Sequence, residues 1–198
     1  MFSAGANAAT ISFVTDPFAG STALTTPGRQ VVGGEPATDF NVFTDVFAFD
    51  PIAFGIDEIL FVNDVVGNVP ASDVNVVVLR TLDDDANPAT PFGAGTAANL
   101  LAAQITASGP GVFIYFNSGL DLPRLVYSTD LSDNTADLKI LARMTGLIGQ
   151  EDVLPLFTAT NFGLIEAPTA AVPEPASMLL LGTGLAGMVA RRYRRRRS

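Results

Sequence analysis

Residues 176–190 carry no charge, and the chain then runs directly into Arg191, Arg192, Tyr193, Arg194, Arg195, Arg196 and Arg197. An apolar helix that ends in six guanidinium groups cannot be packed inside a soluble core, because an unpaired buried charge is too costly. A folded domain must therefore come from what precedes, about 172 of the 198 residues, which is enough for one hydrophobic core. The apolar run is shorter than the roughly 20 residues that usually span a bilayer. Arginine stems can snorkel toward headgroups and lengthen it, and Tyr193 suits the interface. These features predict a transmembrane helix over 176–190, with the arginines as a cytoplasmic stop and the body across the membrane, in the envelope of the cell.

The charges are segregated. Residues 1–172 hold 19 of the 20 acidic groups and five of the 11 basic ones, a formal charge of -14, whereas the last 26 residues hold Glu174 and six arginines, a formal +5. So acidic a body repels polyanions, which weighs against nucleic acid as a partner, and none is expected. The chain has no cysteine and no histidine. Disulfides, thiolate nucleophiles and thiolate metal sites are thereby excluded, and the usual neutral-pH general base is missing. Two readings are open for residues 1–10. Ala6-Asn7-Ala8 fits a small-x-small cleavage pattern, which would make the segment a remnant of a signal-peptide region, or it is an ordinary alanine-rich start.

The body, residues 11–165, reads as β-rich. Segments 11–14, 42–49, 56–62, 74–79, 111–116, 124–128, 138–143 and 156–165 combine β-branched and aromatic residues between turn formers. The segment 111–116 is apolar almost throughout and is the expected central strand, buried on both faces. Segments 124–128 and 138–143 flank a polar loop and are expected to pair as a hairpin. One helix is expected at 96–105, with Thr96 as its cap. The sequence thus predicts an all-β or mainly β single domain, sandwich-like and antiparallel, plus the C-terminal transmembrane helix over 176–198 with its arginine tail. Residues 166–175 read as a linker.

That linker ends in Pro173, Glu174 and Pro175, followed by the glycine-bearing apolar run and the arginine cluster. The order, the spacing and the position resemble the PEP-CTERM sorting signal of exported bacterial proteins. The resemblance implies that Pro173, Glu174 and Pro175 are recognised by an exosortase, a membrane-embedded sorting protease. It also implies that the apolar run and Arg191, Arg192, Arg194, Arg195, Arg196 and Arg197 form the membrane segment and its stop. Carriers of this signal are typically made by bacteria that produce extracellular polysaccharide, which makes such a polysaccharide a further expected partner, at the cell surface or in the extracellular matrix. Physically, the prolines hold the chain extended, as a protease substrate must be, and Glu174 offers a single negative charge to a basic subsite.

Chemistry in the body is sparse. Asp130, Asp133, Asn134 and Asp137 crowd one loop, and Asp83, Asp84, Asp85 and Asn87 another. Oxygen-rich loops of this kind suit calcium, although neither has EF-hand spacing, and the same residues are favoured in plain turns. The expectation is therefore a non-enzymatic exported protein with no required cofactor. Two alternatives stand beside it. A carbohydrate- or ligand-binding module would display Tyr115, Phe116 and Tyr127 on an exposed face. A secreted hydrolase would place paired carboxylates in a cleft.

Overall fold

Val76–Leu79 and Gly111–Asn117 are buried at every position. A strand with no wet face needs cover on both sides of its sheet, and these two have it. In the computed structural model, which describes residues 8–83, 87 and 89–166, the strands are β1 Thr10–Phe13, β2 Val31–Val32, β3 Ala37–Thr38, β4 Val46–Phe49, β5 Phe61–Asp64, β6 Val76–Leu79, β7 Gly111–Asn117, β8 Leu122–Ser128, β9 Leu138–Met144 and β10 Phe162–Leu164. The larger sheet has the order β2-β9-β8-β7-β6-β5, with β3 also pairing with β9, and the smaller has the order β1-β4-β10.

One face of the larger sheet presents Val76, Val78, Val112, Ile114, Leu125 and Tyr127 to a core shared with Phe47 and Phe49 of β4 and Phe162 of β10. Aromatic contacts run through it. Phe40 stacks on Phe47 at 4.2 Å, and the Phe54 ring meets Tyr127 edge-on at 5.2 Å. The opposite face presents Val77, Leu79, Phe113, Tyr115, Val126 and Ile140 to Ala94, Ala97, Ala98, Leu101 and Ile105, in and just beyond the helix Ala94–Ala102. A shorter helix, α1 Pro51–Phe54, follows β4, so the longer one is α2. In α1, the Asp50 carboxylate accepts from the Ile52 and Ala53 amides, proline occupies the first turn, and Gly55 closes it in the left-handed region, each the preferred residue for its place.

The antiparallel sandwich expected from the sequence is corrected here. Among the described residues six strand pairs are parallel, and only β7–β8 and β8–β9 are antiparallel. The domain is mixed α/β. Parallel neighbours need a crossover, and between β6 and β7 the crossover contains α2, which packs on the sheet it bridges. The expected hairpin of 124–128 with 138–143 is present as β8–β9, and the register shifts between Leu125 and Val126. Leu141 is the extra residue in β9, so Ile140 faces α2 while Ala142 and Met144 face the phenylalanine core. The segment 42–49 shortens to β4, because 42–44 form a turn and leave Phe43 78% exposed.

The transmembrane prediction is also corrected. Among the described residues no helix is long and apolar enough to cross a membrane. The longest, α2, has nine residues, about 14 Å at 1.5 Å per residue against a hydrocarbon layer of about 30 Å. Residues 176–190, on which that prediction falls, lie outside the described residues.

At the start of β7 the sheet tolerates no side chain. A Cβ on Gly111 would lie 2.6 Å from the Asn75 carbonyl oxygen and collide with the Leu131 side chain, whereas one on exposed Gly67 would meet nothing within 4 Å. Gly111→Ala is expected to lower stability by about 1–3 kcal/mol, and Gly67→Ala to change it by less than about 0.5 kcal/mol, as read from urea unfolding of the two variants.

Candidate functional site

The sorting residues Pro173, Glu174 and Pro175 and the six C-terminal arginines lie outside the described residues, but the structure shows how the body closes before them. Asn161 is buried, and its amide donates to the carbonyls of Val42 at 2.8 Å and Asp45 at 3.0 Å while its Oδ1 accepts from the Thr158 amide. This ties the last segment to the entrance of β4. β10 then runs parallel to β4, and the Ile165 amide donates to the Phe49 carbonyl at 2.8 Å. The chain divides into two units after Ile165.

In the loop of Asp130, Asp133, Asn134 and Asp137, whose oxygens suit calcium or a plain turn, the carboxylates are already engaged by the chain. Asp130 Oδ1 accepts from the Ser132 amide at 2.8 Å and hydroxyl at 2.7 Å, and its Oδ2 accepts from the Ser108 hydroxyl at 2.5 Å. Burial pushes the Asp130 carboxyl up, but these bonds and the Gly109 amide outweigh it and hold it below the ordinary carboxylate range. Asp133 accepts from the amide and hydroxyl of Thr135, Asp137 from the amide of Gln30, and Asn134 is exposed. Arg29 spans from this loop to α2, donating to the carbonyls of Ala136 and Gly95 and to the Asn99 side chain. Among the described residues no three acidic groups are gathered closely enough to hold a metal ion.

A cleft of about 470 Å³ opens where β6 and β7 end, lined by Leu82, Asp83, Pro91, Phe116, Ser118, Asp121 and Glu151, with Asn87. The carboxyl ends of parallel strands are the usual ligand position in α/β sheets. Asp83 Oδ2 accepts from the Ser118 hydroxyl at 2.6 Å and the Phe92 amide at 3.2 Å. Asp121 sits in the β7–β8 turn with φ 55°, a left-handed position that Asp tolerates. Asp121 and Glu151 escaped the sequence reading because nothing in their local patterns marks them; only the crossover topology puts them beside Asp83.

The aromatic residues expected to display a binding face do not. Tyr115 is fully buried, Phe116 is 5% exposed and Tyr127 is 7% exposed. Burial pushes the Tyr127 phenol up to about 12, and its hydroxyl donates to the Phe54 carbonyl at 3.1 Å. Tyr115 Oη accepts from the Asn117 amide at 3.2 Å, and Asn117 also donates to the Phe92 carbonyl. All three rings are core.

Comparison with known proteins gives one positive finding. The chain carries a PEP-CTERM protein-sorting motif, matched over residues 171–196, in agreement with the resemblance carried by Pro173, Glu174 and Pro175. The motif implies an exosortase-type partner. No curated protein and no solved structure matches the chain.

The hydrogen bonds at Asp130 make a pH prediction. A carboxyl whose pKa is depressed by folding contributes stability above its unfolded value, near 4, and loses that contribution as pH falls through the folded value. Asp130→Asn, uncharged at every pH, should cost about 1–2 kcal/mol at pH 7, allowing for solvent screening. The gap between wild type and variant should shrink steadily below about pH 4 in urea unfolding at a series of pH values.

Proposed function

We propose that this is an exported, non-enzymatic bacterial protein, recognised through Pro173, Glu174 and Pro175 by an exosortase, and that its α/β domain works outside the cytoplasmic membrane, at the cell surface or in the extracellular matrix. The observation that carries the proposal is the sorting motif over 171–196. Supporting it, the chain confines its basic cluster to the last residues, and its body holds a formal -14 with no histidine or cysteine, a poor endowment for acid–base or nucleophilic catalysis near neutral pH. Self-repelling surfaces of this kind favour solubility at high local concentration.

The body supports the same division of labour. Its last strand is bonded into the smaller sheet, the Ile165 amide extends that bonding to Phe49, and in the sequence the residues from 166 to the motif are a short stretch without apolar periodicity. In cells that hold an exosortase, replacing Pro173, Glu174 and Pro175 together by alanine is expected to leave the full-length chain accumulating, as followed by immunoblotting, while the wild type is shortened. Equal processing of the two would contradict the proposal.

A further inference from the structure

Arg124 and Arg143 stand directly opposite each other in the antiparallel pairing of β8 with β9. Like charges in that position repel and destabilise the pair. They are two of only five basic residues in the first 172, so their juxtaposition is not the product of a generally basic surface. Both turn to the same acceptor. Arg124 Nη2 bonds Glu35 Oε1, and Arg143 Nε lies 3.5 Å from that same oxygen. Among the described residues these are their only ion pairs, which leaves two cations on one anion.

The donors are also under-used. A guanidinium can grip a carboxylate through two parallel N–H bonds, yet Arg124 meets Glu35 through one nitrogen while its side chain also reaches the Tyr115 hydroxyl, and the buried Nε atoms of Arg124 and Arg143 make no hydrogen bond among the described residues, that of Arg143 lying only within ion-pair range of Glu35. Buried donors left in this state are costly. The environment is nearly dry, with the Glu35 side chain 7% and the Arg124 side chain 16% exposed, but the Arg143 side chain is 41% exposed and opens the pair to solvent.

Glu35 is not mounted on the core. It projects from the short connection between β2 and β3, two-residue strands that pair with the two ends of β9. Gly33, Gly34 and Pro36 around it are exposed, and Gly34 has φ 86°. On one side this strap lines a cleft of about 430 Å³ together with Phe13, Lys139 and Leu141. Its anchors are the Lys139 ammonium on the Gly33 carbonyl, backbone bonds at Gln30 and Pro36, and Glu35 itself. Short exposed edge segments of this kind open at low cost.

We propose that Arg124 and Arg143 form a carboxylate-binding site that Glu35 occupies in cis, and that a small monocarboxylate from outside can take its place as the strap lifts. The ligand is a single carboxylate and not a polyanion, because the -14 body repels a polyanion at long range, whereas a monocarboxylate offers the two guanidinium groups the same group that Glu35 now presents. This goes beyond the sorting role and does not depend on it.

Acetate is the probe. Full-length wild type, Glu35→Ala and Glu35→Gln are titrated with sodium acetate and, at matched ionic strength, with sodium chloride. Both variants should melt below wild type and regain about 5–10 °C when acetate is about a hundredfold above its dissociation constant, with no such gain from chloride. Adding Arg143→Gln to either variant should abolish the gain. In the wild type, the Arg124 and Arg143 Nε–H resonances should move saturably with acetate. Equal responses to acetate and chloride in the variants that fold, or resonances that acetate leaves in place, would overturn the site and leave a purely structural ion pair.

Discussion

β7 has no free side. Its backbone is bonded to β6 along one edge and β8 along the other, and its side chains go alternately into the phenylalanine core and the α2 core. A strand placed in this way must be apolar on both parities and must satisfy every amide within the sheet. The rest of the fold follows from covering its two faces. The small sheet brings Phe47 and Phe49 to one, and α2 brings Ala97, Ala98 and Leu101 to the other. Gly111, with the Asn75 carbonyl too close to admit a Cβ, shows how tightly the strand is held where it enters the sheet.

The acidity of the body has a structural explanation that limits what it says about function. Asp45 accepts from the amides of Ala9 and Asn41, Asp50 caps α1, Asp64 accepts from the Val65 amide and pairs with Arg80 at 2.7 Å, and Asp130 and Asp133 fold their own loop. Each carboxylate takes up amide hydrogens that a turn or helix start would otherwise leave unpaired. The cost is a body with few cations, and two of those few are forced together at Arg124 and Arg143, where Glu35 reaches in to hold them.

Some of this was legible in the sequence. The unbroken apolar run at 111–116 marked the central strand, and the segments on either side of the polar loop at 129–137 marked the β8–β9 hairpin, since both signals are local. The parallel pairing was not legible from alternation, because a side-chain period of two is the same whichever way the neighbouring strand runs. The unbroken apolar runs at 76–79 and 111–116, with an alanine-rich helix between them, were the available clue to a crossover. β2 and β3 are too short to carry a pattern, and β9 creates them by offering its edge. The Arg124–Arg143–Glu35 cluster joins residues far apart in the chain, so only the register assembles it. The sorting motif was the reverse case, a linear signal read in full without any fold.

On the reading proposed above, an α/β body is delivered by a C-terminal address. The most direct test is the intact mass of the wild-type protein recovered from otherwise identical cells with and without a functional exosortase. The expected result is an exosortase-dependent loss of mass whose boundary falls within residues 171–196, with residues 8–166 retained whole. An identical mass from both cell types, extending to Ser198, would contradict it.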